Sequence, residues 1–131
     1  MYKKDIRTLG IDDSAFIRDK STKTFVFGVV TRGYSIIEGI LRTEILVDGL
    51  NATKAITDMI KQSKFWNQLK AIFLRSATIG AFNLINMPKL FEEIQIPVIT
   101  VLSQAPNENK VKKALIRLKN RKKREEIISV N

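Results

Sequence analysis

The chain has 131 residues, with 23 Lys and Arg against 13 Asp and Glu, a formal net charge of +10, and hydrophobic and charged shares of 44% and 27%. That length favours one domain with its own core, and the hydrophobic share excludes a disordered polyelectrolyte. Cysteine and histidine are both absent, which excludes disulfides, thiolate zinc sites and imidazole bases, so any metal must be held by oxygen.

Lys3, Lys4 and Asp5 are followed by no apolar stretch, and no window approaches the ~20 apolar residues of a membrane span. A soluble cytoplasmic protein without a membrane partner is the expectation. Ile6 to Asp12 reads as a first strand, Thr24 to Thr31 as a second and Ile36 to Val47 as a third, with Arg32-Gly33-Tyr34-Ser35 as the turn between the last two. Asn51 is placed to cap a helix carrying Ala52, Ala55, Ile56, Met59 and Ile60 at helical spacing and ending near Ser63 or Lys64. Leu69 to Leu74 forms a fourth strand, Lys89 to Glu93 a short helix after Pro88, and Val98 to Leu102 a fifth strand after Pro97. A last helix carries Val111, Ala114, Leu115 and Leu118 on one face.

Three strands joined by short turns form an antiparallel meander, and strands separated by helices then add in parallel. This order predicts an α/β fold with a ribonuclease H-like mixed sheet. Residues 1–106 make its core, and residues 107–131 add a basic C-terminal helix and tail to the same domain.

That tail is the strongest charge feature. From Lys110 to Arg124 nine of fifteen residues are basic and none is acidic. The run predicts a helix with one basic face leading into an exposed basic arm. Lys112, Lys113, Arg117, Arg121, Lys122, Lys123 and Arg124 are the expected contacts to the phosphates of DNA or RNA. A solvated helix face, an acidic protein or anionic lipid would suit the same charges.

Leu9-Gly10-Ile11-Asp12-Asp13-Ser14-Ala15-Phe16, then Gly39-Ile40-Leu41-Arg42-Thr43 leading to Val47-Asp48-Gly49-Leu50-Asn51-Ala52-Thr53, then Gly80-Ala81-Phe82-Asn83, follow one another in order. This series resembles an archaeal family of uncharacterised proteins, the DUF99 group, also called UPF0215. That family is similar to endonuclease V and shares its ribonuclease H-like fold. Endonuclease V cuts nucleic acid near inosine using metal-bound carboxylates. The resemblance runs from Asp5 to about Leu102 and implies Asp12, Asp13 and Asp48 as catalytic residues, with Asp12 and Asp13 holding Mg²⁺ or Mn²⁺. No zinc, haem or nucleotide cofactor is expected. Glu44 lies on the strand where endonuclease V has a metal-binding Glu.

Two departures stand out. The family's fourth strand usually ends in an Asp-Gly pair, where this chain has Arg75-Ser76. Arginine stays cationic at any working pH and competes with a metal instead of sharing Asp12 with it. The family also normally continues for a further strand and helix, absent here or replaced by the basic arm. The resemblance, so qualified, implies weakened or lost cleavage and a divergent, shortened member from an archaeon or one of its viruses.

Each candidate has a plainer reading. Asp12 and Asp13 also suit a turn with Ser14, and Asp48-Gly49 is an ordinary turn signal. Arg42 and Arg75 are phosphate-contact candidates, although Arg42 also reads as a surface strand residue. Thr78, Phe82 and Asn83 are expected beside the fourth strand, with Phe82 read first as core. Phe65 and Trp66 resemble an exposed aromatic pair. Three functions follow: a nucleic-acid-binding protein with faded catalysis, an active endonuclease V-like enzyme dependent on Mg²⁺ or Mn²⁺, and an interaction module docking on an acidic protein. An exposed sheet edge and the shortened C-terminus also leave room for a homodimer.

Overall fold

A computed structural model describes residues 6–17, 19–102 and 107–131. Lys3, Lys4, Asp5 and the proposed boundary at residue 106 lie outside the described residues. The main sheet is built from β1 (Arg7–Asp13), β2 (Lys23–Arg32), β3 (Ile36–Leu46), β4 (Leu69–Leu74) and a last strand, Val98–Thr100. Between them lie α1 (Ala52–Lys61), a hairpin of β5 (Thr78–Ile79) and β6 (Asn83–Leu84), and α2 (Met87–Ile94). The last strand is β7, followed by α3 (Glu108–Arg117) and α4 (Arg121–Val130). The sheet order is β3-β2-β1-β4-β7. β1 pairs antiparallel with β2 and parallel with β4, and β4 pairs parallel with β7. This is the ribonuclease H-like mixed α/β fold read from the order of elements.

Alternation explains which face is covered. Leu9 and Ile11 of β1, Val26 and Val30 of β2, Ile45 of β3, and Ile72 and Leu74 of β4 are buried. They pack with Ile56 and Ile60 of α1 and Leu90 and Ile94 of α2 into one apolar cluster. The residues between them on each strand lie on the opposite face of the sheet. Burying two helices' apolar stripes against seven strand residues supplies the core; each fully buried aliphatic side chain contributes roughly 1.5–3 kcal/mol before entropy is counted.

Helix ends were partly readable. Asn86 caps α2 by accepting from the Lys89 amide at 3.1 Å, and Pro88 sits in its first turn. Asn51 precedes α1, but its side chain bonds elsewhere: its Oδ1 accepts from the Leu46 amide at 3.1 Å and from Asn83 Nδ2 at 2.9 Å. The orphan amide of Ala52 is satisfied by Asn83 Oδ1 at 3.1 Å. A fully buried residue 31 positions away therefore serves the start of α1.

The C-terminal region differs from the expected helix and arm. α3 ends at Arg117, Asn120 adopts the left-handed conformation with φ 59°, and the chain resumes as α4. Leu115 of α3 packs with Phe82 and Leu84, joined by Val111, Ala114, Leu118 and Ile127, in a second small cluster. The basic segment is thus a helical pair fastened on the β5–β6 hairpin.

Candidate functional site

Parallel pairing of β1 with β4 sets Ile11 opposite Leu74, so the next residues, Asp12 and Arg75, meet at the strand ends. Asp12 Oδ2 and Arg75 Nη1 are 3.9 Å apart, with both side chains mostly exposed. A crevice of about 210 Å³ opens there, lined by Ile11, Asp12, Asp13, Leu74, Arg75, Ser76, Thr78 and Ile79. Ser76 was not anticipated as a site residue. Its Oγ accepts from the Thr78 amide at 3.1 Å, an ordinary Ser/Thr turn whose Ser-Ala-Thr signal is visible in the sequence.

Asp12 and Asp13 are neighbours on a strand and so point to opposite faces. Asp13 turns toward the hairpin, where its Oδ2 accepts the Gly80 amide at 2.7 Å. Burial pushes the Asp13 carboxyl above its ordinary value; the Gly80 amide opposes the shift, and the neighbouring Asp12 carboxylate adds to it. Gly80 stands at φ +56°, which favours glycine, and a Cβ there would meet Ile45 Cδ1 at 2.8 Å and have to displace it.

Asp48 holds the other side of the same hairpin. It sits in a left-handed turn with φ 55°, its Oδ1 accepts the Phe82 amide at 2.8 Å, and its amide donates to the Gly80 carbonyl at 2.9 Å. Its own carbonyl accepts from Arg124 Nη2. Arg124 further donates from Nη1 to the carbonyls of Phe82 at 2.6 Å and Gly49 at 3.2 Å, and from Nε to that of Lys119 at 2.8 Å. At 2% exposure Arg124 is a buried cation, its pKa lowered by burial and partly restored by Asp48.

Arg124 as a phosphate contact is therefore corrected: its donors are spent on backbone carbonyls. Every other cation of the Lys110–Arg124 run is exposed. Arg42 is exposed on β3, with its guanidinium 5.0 Å from the centre of the Phe25 ring. Glu44, also on β3, pairs with Lys23 at 3.6 Å. It stands two strands from Asp12 in the sheet order. Thr78 lines the crevice as expected, whereas Phe82 and Asn83 are buried. The exposed aromatic pair is also corrected. Phe65 is buried in the main core, and Trp66 packs against it with Nε1 donating to the Ile94 carbonyl at 3.0 Å.

These carboxylates do not fit a divalent cation. Among the described residues no three acidic side chains converge as metal ligands. Asp12 faces a guanidinium, and Asp13 and Asp48 each give an oxygen to a backbone amide. Hard divalent ions need several free oxygens on one side of the metal, and a neighbouring fixed cation opposes their approach.

The sheet order and pairing define a ribonuclease H-like α/β fold. The model of the family described as Endonuclease dU matches residues 4–131, and the chain belongs to that family. Its relatives carry the UPF0215 name that the motifs pointed to. The chain is 44% identical over 113 residues to the UPF0215 protein of Methanosarcina barkeri, covering 86% of this chain and 57% of that one. It is 41% identical over 127 residues to the Archaeoglobus fulgidus member, covering 97% and 67% respectively. The chain thus spans little more than half the length of the first of these relatives. A crystal structure of a protein of unknown function from Archaeoglobus fulgidus superposes with a TM-score of 0.87 at 40% identity, covering 95% of this chain and 69% of that one. Endonuclease V from Bacillus subtilis is similar in fold, with a TM-score of 0.57 at 8% identity over 78% of this chain and 46% of its own. Among the described residues no helix is long and apolar enough to cross a membrane.

Proposed function

We propose that the protein binds nucleic acid, DNA or RNA, through the exposed cations of α3 and α4, and that metal-dependent phosphodiester cleavage is weakened or lost in it. The observation that carries this reading is Arg124. By fastening α4 to the carbonyls of Asp48, Gly49 and Phe82 it holds a run of like charges against the body of the fold. A fixed array of cations loses less entropy on meeting phosphates than a floppy arm does. The pairing of Asp12 with Arg75 supports the second half, since the carboxylate best placed for a metal already has a cation beside it.

A second reading, an active endonuclease dependent on Mg²⁺ or Mn²⁺, is favoured by the family's description and by two carboxylates at one crevice. Fluorescence anisotropy with labelled single-stranded and duplex DNA and RNA, followed by incubation of the bound species with Mn²⁺, separates the two. Binding without cleavage is expected. Cleavage that disappears in Asp12→Ala and with chelator would establish the second reading, and absence of binding at low salt would remove both.

A further inference from the structure

The two faces of the main sheet are unequal. α1 and α2 cover one; on the other, Ile40, Val29, Gly10, Phe73 and Ile99 form one row across the five strands, with Phe25 and Phe27 beside it on β2. Ile40 is 66% exposed, Ile99 42% and Phe25 40%. Antiparallel sheets with a solvated face normally alternate apolar with polar residues, so an apolar outer face of this width marks a contact surface.

We infer that this open face joins the same face of a second copy of the chain. Charge decides against a polyanion there. Asp12, Lys23, Arg42, Glu44 and Arg75 are the charged residues that alternation places on it, three cations and two anions, net +1 in a chain of +10. Lys23 pairs with Glu44 at 3.6 Å and Arg75 with Asp12 at 3.9 Å, so two copies can approach with little net repulsion. Size agrees. Five strands spaced about 4.8 Å apart, each with about seven residues rising ~3.3 Å, make a patch on the order of 550 Å² per copy, or roughly 1,100 Å² in total. That is just above the ~1,000 Å² that a specific interface requires.

Shape agrees as well. Gly10 lies in the middle of the face, and a Cβ added to it would meet nothing within 4 Å. A hollow of about 400 Å³ stands there between Phe27, Val29, Phe73 and Val101. A projecting aliphatic side chain at Ile40 and a hollow at Gly10 are the two halves that a two-fold, self-complementary contact needs. Two such sheets stack face to face about 10 Å apart, with side chains of each interdigitating. This inference does not rest on the cations of α3 and α4, although Asp12 and Arg75 at the strand-end crevice border the same face.

Sedimentation velocity of the full chain at micromolar concentration tests it. The expected species has twice the 14.9 kDa chain mass, falling to the single-chain mass in Ile40→Glu and in Phe27→Glu with an unchanged circular dichroism spectrum. Gly10→Leu, which the backbone accommodates, is a third variant expected to weaken association by filling the hollow. A wild-type protein that stays single-chain up to 100-fold higher concentration overturns the inference. So does a dimer that persists in both Glu variants, or one that forms only when oligonucleotide is added.

Discussion

Asp13 and Asp48 grip opposite ends of one glycine: Asp13 Oδ2 accepts the Gly80 amide at 2.7 Å, and the Asp48 amide donates to the Gly80 carbonyl at 2.9 Å. Two residues implied as catalytic by family resemblance are thus committed to the β5–β6 hairpin. That hairpin in turn supports Phe82 and Leu84, on which α3 and α4 rest. The acidic residues therefore act on the basic surface through structure.

Asp13 sets a pH dependence of folding. Its pKa is raised in the folded state by burial, so the native protein binds more protons than the unfolded chain between the two values, and stability falls as pH rises through that window. Asp13→Asn keeps an oxygen for the Gly80 amide and removes the titration. Urea unfolding at pH 4 and pH 7 is expected to show the variant gaining on the wild type toward neutral pH. The opposite trend would mean that the Gly80 hydrogen bond outweighs burial.

Arg124 and its neighbours in sequence should behave oppositely. Arg124→Met leaves the carbonyls of Asp48, Gly49, Phe82 and Lys119 without their charged donor. Charged hydrogen bonds contribute roughly 1.5–3 kcal/mol each, so a loss of about 3 kcal/mol or more is expected in chemical denaturation. Arg124→Lys should not restore it, because an ammonium lacks the planar fork. Lys122→Ala and Lys123→Ala, both exposed, should change stability by no more than about 0.5 kcal/mol.

Asn83 joins α1 to the hairpin. Asn83→Ala removes the acceptor for the Ala52 amide and the donors to the Leu46 carbonyl and Asn51. A cost of about 1–3 kcal/mol is expected. Asn83→Asp should cost at least as much, since it keeps the acceptor but sets a buried charge against two oxygens. Equal stability of Asn83→Asp and wild type would show that the donor bonds carry nothing.

Arg75→Asp replaces a cation with a carboxylate beside Asp12. Calorimetric titration with Mn²⁺ is expected to show affinity raised by roughly tenfold or more, about 1.4 kcal/mol. No change would mean that the two side chains do not share a site.

Much of the fold was legible because strands and helices here follow their periods. β4 runs from Leu69 to Leu74 as read, and β1, β2 and β3 differ from their readings by one residue or fewer at each end. The β5–β6 hairpin was not legible, since two-residue strands have no period to detect. Nor was the break before α4, which uses a left-handed Asn120 with no Gly or Pro to announce it. The site was half legible. Local order places Asp12 beside Arg75, but the inward turn of Arg124 depends on carbonyls more than 70 positions away, at Asp48 and Gly49. Within a run of cations nothing marks which one is buried. Asn83 likewise caps a helix whose own N-cap candidate, Asn51, looked sufficient.

The salt dependence of nucleic-acid binding tests the central claim most directly. Anisotropy titrations across a range of salt, comparing wild type with Lys112→Ala/Lys113→Ala/Lys122→Ala/Lys123→Ala, read the number of phosphates neutralised. The slope of log Kobs against log salt should become shallower by about 0.7–0.9 for each cation that meets a phosphate. A quadruple variant that binds with the wild-type slope, or a wild type that binds no oligonucleotide at low salt, would contradict a basic surface built from α3 and α4.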